Sequence, residues 1–432
     1  MTPQEEWKTK TLQYVSDING FVERGIRDGW DDVGVQPKDP GLEHLADAAM
    51  AAVRRANKNG TFDELRSDWP VAHAPLIHLL ENKAHSIPVL MLQDDGSIVA
   101  RIGTEYQDGK VVHIKGDEVH DVDGIESFGQ CPNRRYVAIA TENGVQITDG
   151  WQGPEVCMCQ WPTGLEDLPE GATAEALEAP PRPTQLIPFP NGQRVLLVSD
   201  AGIFVLSRGV ARRLLPTVAD LQEYIDEEPD EPLSFYLSMQ HGAVSPNGKW
   251  IAVGHQDSTH PIFNEDLEQI ADIGNESSYP HFALFSRKSD TVVLNSCHFY
   301  NGVTLATPTS LFPGLKTGAY KNDERTPVVQ SGARVYAGVH RDGEFIVGDA
   351  DGYLRAFTKT GEETWQHFIG STIGDIDISK DGKTLVVSTY AGFISIIKLD
   401  AGERPEFQIG TGQHAEQRRW LFWKNEDRPL IW

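Results

Sequence analysis

The sequence predicts a mainly β protein, a ring of small antiparallel sheets preceded by an α-helical element. Three observations carry this. A short phrase recurs along most of the chain, in which a turn pair and a polar residue precede an apolar run closed by a small residue. Its copies return at a spacing of roughly 40 to 60 residues, the mark of one supersecondary unit repeated many times. The hydrophobic period also changes from helical to strand-like near residue 87 and stays so to the end.

The phrase runs as Pro132-Asn133 before Tyr136-Val137-Ala138-Ile139-Ala140, and as Pro190-Asn191-Gly192 before Val195-Leu196-Leu197-Val198-Ser199. Pro246-Asn247-Gly248 before Trp250-Ile251-Ala252-Val253-Gly254 repeats it. Asp342-Gly343 before Phe345-Ile346-Val347-Gly348 and Asp381-Gly382 before Leu385-Val386-Val387-Ser388 complete the set. Asn-Gly and Asp-Gly between β-rich runs are hairpin turns, because both central positions accept φ > 0.

Residues 1–84 read as the helical element. Thr2-Pro3-Gln4-Glu5 supplies an N-cap, a proline at the first helical position and a glutamate for a capping box, and Trp7, Tyr14 and Ile18 follow at helical spacing. Asp39-Pro40 opens a second helix with Leu42, Leu45, Ala49 and Val53 as its buried stripe and Asn59-Gly60 as its stop. Thr61-Phe62-Asp63-Glu64 repeats the capping-box pattern, and 74–83 carries Leu76, Ile77, Leu79 and Leu80.

Residues 85–432 then read as the ring. A first meander of three strands spans 87–114, with turns at Asp94-Asp95-Gly96 and Gln107-Asp108-Gly109. Six further units follow around 122–161, 185–215, 235–273, 281–309, 328–368 and 373–409. Seven is the count, with six or eight as the neighbouring readings. Such meanders close best as a ring, in which each sheet packs on its neighbours and only short edges stay exposed. The apolar tail, with Trp420-Leu421-Phe422-Trp423 and Leu430-Ile431-Trp432, is expected to pair into the ring or to pack on the helices.

Composition narrows the function. With 432 residues, 39% of them hydrophobic, the chain can bury a large core or a ring of small ones. A formal net charge of -25 argues against nucleic acid, since affinity there rests on Lys and Arg neutralising phosphates, and against acidic membranes for the same reason. The same charge suits a basic partner, or plain solubility. Cys157 and Cys159 share one strand face, but no second Cys or His pair stands at zinc-ligand spacing, so reduced structural thiols are expected. The acidic start lacks a secretory pattern and no apolar run reaches the roughly 20 residues of a membrane span. The expectation is a cytoplasmic protein without a cofactor.

Two insertions interrupt the units. Residues 162–183 carry Glu166, Asp167, Glu170, Glu175 and Glu178 among many Ala and Pro, and read as a mobile loop. Residues 220–232 hold seven carboxylates and no basic residue, either a solvated loop or helix or a docking site for Lys and Arg of a partner. Asp226, Glu227, Glu228, Asp230 and Glu231 are the candidate partner-binding residues.

Motifs that imitate catalysis do not hold. Gly103 to Lys110 is one residue too long for a phosphate loop, and Gly382-Lys383-Thr384 falls on a strand. Asp349-Ala350-Asp351-Gly352 starts like a calcium loop without its twelfth-position glutamate. His255, Asp257 and His260 are the densest polar cluster. They read either as surface loop groups or as ligands of a transition metal, with His281, His298 or His340 available from a neighbouring unit.

Ser245-Pro246-Asn247-Gly248-Lys249-Trp250-Ile251-Ala252-Val253-Gly254 and Ser379-Lys380-Asp381-Gly382-Lys383-Thr384-Leu385-Val386-Val387-Ser388 resemble the central hairpins of WD40-like β-propeller blades, although the regular Gly-His and Trp-Asp dipeptides are missing. The stretch from Gly348 to Phe357, followed by Thr360-Gly361-Glu362-Glu363-Thr364-Trp365, is similar to the quinoprotein-like propeller repeat, in which the tryptophan docks one blade on the next. The resemblance implies a propeller ring used mainly as a protein-binding platform, which the count of meanders makes seven-bladed, and Trp365 reads as a packing residue. The function expected is therefore a non-catalytic module for a basic protein partner, in a scaffold role or as an immunity protein that covers a toxin. The alternative is a propeller enzyme acting on a small molecule in the central channel with a metal on His255 and His260.

Overall fold

Seven antiparallel four-stranded meanders stand around one axis in the computed structural model, which describes every residue except Glu105, Asp108, Asp230 and the side chain of Glu81. The blades cover 89–122, 127–159, 185–215, 241–273, 279–331, 335–368 and 373–431, the last with a fifth strand at Leu430–Ile431. First strands of successive sheets neighbour one another, so each first strand lies innermost and lines the channel. Turns between first and second and between third and fourth strands gather at one end of the ring. Turns between second and third strands gather with the blade-to-blade connections at the other.

All copies of the recurring phrase join a first strand to a second strand. Asn247 Oδ1 accepts from the Lys249 amide and the Ser245 hydroxyl, Ser245 Oγ accepts from the Trp250 amide, and Gly248 takes φ +72°. The apolar run that follows is a second strand with both faces covered by neighbouring blades, as in Arg194–Ser199, where five of six residues are buried. Its small closing residue has a tertiary cause. A Cβ on Gly348 would stand 2.5 Å from the Ile373 side chain of the next blade, and Ser388 Oγ donates to the Ile87 carbonyl at 2.7 Å.

Several boundaries differ from those read in the sequence; the seventh blade, for one, runs past 409 to strands at Ala415–Leu421 and Leu430–Ile431. The first blade has four strands, because Glu118–Val122 is a polar outer strand with no apolar run to announce it. Val328–Ser331 completes the fifth blade as its outer strand and does not open the sixth. Residues 309–327 separate it from its neighbour by running along the fourth blade, where Asp272 bridges to Lys316.

The helices are α1 (Pro3–Asp28), α2 (Ala46–Asn59), α3 (Phe62–Asp68) and α4 (Ile77–Lys83). Thr2 and Glu5 form the expected capping box on α1, and Gly60 ends α2 in the left-handed region. The pattern at Thr61 forms no side-chain cap, since its backbone (φ -111°, ψ 26°) does not aim the hydroxyl at the first turn. The second helix also begins later than Asp39-Pro40, with a 3-10 turn at Glu43–Leu45.

The helices cover the outer edge of the seventh blade and meet the apolar tail, which pairs into the ring and packs on them at once. Trp7, Trp69, Trp423 and Trp432 share this core, and Trp432 Nε1 donates to the Trp69 carbonyl. Asn57 exchanges two 2.8 Å hydrogen bonds with the Ile431 peptide, so a strand edge that would invite pairing with other chains is covered. The ring closes where Asp375 and Asp377 accept from the Leu90 and Leu92 amides of the first blade, at 2.8 and 2.7 Å. Among the described residues no helix is long and apolar enough to cross a membrane.

Candidate functional site: one end of the channel

The inner strands leave a channel of about 590 Å³ along the axis. Its two ends differ in chemistry. Among the described residues seven aromatic side chains are largely exposed: Trp30, Tyr106, Tyr224, Tyr236, Phe299, Tyr300 and Tyr320. Six of them lie at the end where blade-to-blade connections gather, Trp30 being the exception beyond α1. Tyr320 reaches that end because its amide donates to the Asn275 carbonyl, just past the last strand of the fourth blade. Phe299 and Tyr300 form a two-residue hairpin tip with Phe299 at φ +52°, a conformation that Asn or Gly takes more cheaply.

The two insertions are knitted together at the same end. Residues 220–232 lie partly in a helix, α5 (Val218–Glu227), with a capping box of Thr217 and Asp220. The chain after α5 returns to 162–183, where Leu233 bridges to Ala174 and its amide donates to the Thr173 carbonyl. The first insertion is fastened in turn to the third blade. Asp167 accepts from Arg212 at 2.9 Å, and Arg213 donates to the Glu166 and Gly164 carbonyls while stacking on Phe204 and Phe235. Tyr236 then donates to the Tyr106 hydroxyl at 3.2 Å, linking this surface to the first blade across the channel mouth.

Of the candidate acidic residues, Asp226 and Glu227 occupy the last turn of α5, Glu228 is its C-cap and Glu231 follows, all exposed. Asp230 lies outside the described residues. None of these four forms an ion pair among the described residues. They crowd the negative end of a helix dipole with no basic residue in the last turn, an arrangement that costs about 0.3–1 kcal/mol per charge. Glu170, Glu175, Glu178 and Glu223 are exposed beside them on the same pair of segments.

His255, Asp257 and His260 are not brought into one donor set, and among the described residues no three His, Cys, Asp or Glu side chains are arranged around a metal position. Asp257 is exposed in the turn, and its amide donates to His255 Nδ1. His260 begins the third strand of the blade, fully buried, with both ring nitrogens unpartnered, and burial lowers its pKa to about 3. Its ring neighbour is His241, at 5.6 Å between centroids, a residue the sequence did not single out. The other histidines scatter: His281 lines the channel, His298 stacks on Tyr279, and His340 packs on Phe345 at the far end. Trp365 is buried between the sixth and seventh blades as a packing residue.

Sequence reasoning missed Arg334 and Tyr336, and named His281 only as a spare metal ligand; the three meet at the channel mouth from adjacent blades. The Arg334 guanidinium lies 5.0 Å from the Tyr336 ring centroid, and the His281 ring lies 4.8 Å from the same ring. Burial, with Arg334 adding to it, lowers the His281 pKa to about 4. No local motif marks the set, because Arg334 and Tyr336 open the sixth blade while His281 lies in the first strand of the fifth.

No protein-family model matches the sequence, and no curated protein matches it. Solved structures similar to the chain include the β-propeller domain of Cps50 (Swd1) from Myceliophteria_thermophila, 13% identical, with 71% of this chain and 94% of that chain covered at a TM-score of 0.47. Hsv2 from Kluyvelomyces marxianus is 11% identical, with 78% and 99% covered and a TM-score of 0.43. The computationally designed Ika8 protein is 15% identical, with 82% and 97% covered and a TM-score of 0.43. The seven-bladed ring itself rests on the chain's own strand order, in agreement with the WD40-like resemblance of its repeats.

Proposed function

We propose that this chain is a non-catalytic, cytoplasmic interaction module that docks a basic protein on the end of the ring where the blade-to-blade connections meet. The observation that carries this reading is the gathering of six of the seven exposed aromatic residues at that end. Tyrosine and other aromatics supply most interface energy, and a monomer has no reason to segregate them. The basic character of the partner rests on the exposed carboxylates Asp226, Glu227, Glu228 and Glu231, which form no ion pair among the described residues. Complementary charge of this kind speeds encounter and sets orientation more than it adds affinity. The surface suits a scaffold as well as an immunity protein that neutralises a basic toxin by covering it. Cys157 and Cys159, buried as thiols with sulfurs 3.9 Å apart, support a reducing compartment.

The test is capture from the protein's own cell lysate with wild type and two variants, Tyr236→Ala/Phe299→Ala and Asp226→Lys/Glu227→Lys/Glu228→Lys. The expected result is a specific basic protein retained by wild type and lost with the aromatic variant, with weaker, less salt-sensitive retention by the charge variant. Equal retention by all three would overturn the assignment of this face.

A further inference from the structure

We propose that the mouth of the channel holds a small organic oxyanion, a carboxylate or phosphate on a compact body, anchored by Arg334. Three arginines line the channel: Arg134, Arg287 and Arg334. Arg134 pairs with Asp377, and Arg287 sits exposed at the far end. Arg334 is half-buried with no carboxylate within 4.0 Å among the described residues, and its Nε is fully covered and unpartnered. In a chain with 63 acidic against 38 basic residues, a cation turned into a cavity and left without a counter-ion is out of place. A cation whose Nε is covered and lacks a hydrogen-bond partner is left unsatisfied on that side, so it marks a position where a ligand supplies one.

The backbone around Arg334 is built to hold it still. Asn295, fully buried, accepts from the Val335 amide at 3.1 Å and donates to the Ala333 carbonyl at 3.0 Å, clamping the peptides on both sides. The Arg334 amide donates to the Tyr300 carbonyl at 3.1 Å, and its own carbonyl accepts from Ala350 at 3.0 Å. Tyr336 then supports the guanidinium plane, and Tyr390 of the seventh blade packs against Tyr336 at 5.8 Å. His281, its ring 4.8 Å from that of Tyr336, presents a covered, unpartnered Nε2.

This is the composition of a small-molecule site: a fixed guanidinium, one further polar atom and aromatic walls. A channel of about 590 Å³ also lies within the range of such pockets. The site sits inside the mouth at the same end as the partner surface, and is cationic where that surface is acidic.

Titration calorimetry of the purified full chain at low salt tests it with three probes: inorganic phosphate, phenyl phosphate and benzoate. Wild type is expected to bind at least one of them saturably. Tighter binding of phenyl phosphate than of inorganic phosphate would show that the aromatic walls contribute, and equal binding would assign the site to the free anion. Arg334→Gln should weaken binding at least about tenfold, the loss expected for a charge-assisted hydrogen bond, with partial recovery in Arg334→Lys. Lys249→Gln, on an exposed turn at the opposite end, should bind as wild type does, and far-ultraviolet circular dichroism checks that each variant is folded. Failure of all three probes to bind wild type, or unchanged binding by a folded Arg334→Gln, would overturn the proposal.

Discussion

Glu416 fastens the helices to the ring. Its carboxylate accepts from Arg419 at 2.9 and 2.7 Å and from Arg66 of α3 at 3.1 Å, and Arg66 also donates to the Trp432 carbonyl. Burial would raise the Glu416 pKa, but Arg419 and Arg66 outweigh it and hold it at about 2. Glu416→Gln leaves two covered guanidinium groups short of a counter-ion. We expect it to lower unfolding free energy by about 3–5 kcal/mol in urea titrations at pH 7. A depressed carboxyl stabilises fully above its unfolded value of 4.5 and loses that contribution as pH falls toward 2, so the gap between wild type and variant should close over that range. None of this was legible in the sequence, since Arg66 and Glu416 are 350 positions apart. The same holds for Arg334, whose role depends on a cavity that seven separate segments enclose.

At the scale of the element, local rules read well wherever a turn or a cap decided the outcome. The capping box of α1, the glycine stop of α2 and the corners at Asn191-Gly192, Asn247-Gly248, Asp342-Gly343 and Asp381-Gly382 are where residue chemistry places them, while Asp108 of the Gln107-Asp108-Gly109 turn lies outside the described residues. Polar outer strands such as Glu118–Val122 escaped notice, because an edge strand has no covered face to write into its pattern. The acidic run of 220–232 gave no hint that it continues into a segment paired with 162–183. Helix α5 offers a test that separates stability from recognition. Glu227→Lys/Glu228→Lys places cations at the negative end of the helix, and should raise the stability of α5 by about 1 kcal/mol while lowering partner capture. Native-state hydrogen exchange across 218–228 reads the first effect. A variant that exchanges faster there than wild type would contradict the dipole argument.

The whole molecule is sensitive to acid through its covered imidazoles. Burial lowers His73, His281 and His340 to about 4 and His260 and His367 to about 3. Groups depressed in this way stabilise fully above the unfolded value near 6.5 and lose that contribution as pH falls toward their folded values. Asp349, Asp375 and Asp377 are raised by burial and act in the opposite sense over part of the same window, but five imidazoles outnumber them. Thermal unfolding followed between pH 7 and 5 should therefore show a steep fall in midpoint, with net proton uptake on unfolding visible as a buffer-dependent enthalpy. A midpoint that does not change with pH across that interval would contradict the burial of these rings.

By itself the sequence determined the repeating unit, its turns and the switch from helix to strand, because each of these depends on neighbours within a few residues; it read seven blades with six or eight open, and closure of the ring decided the number. Only the tertiary structure decided which end of the ring collects the aromatics, which arginine is left without a carboxylate and how the tail and helices seal the seventh blade. Those outcomes come from closure. When seven sheets share one axis, residues from distant segments meet at its mouth, and no local pattern records who their neighbours will be.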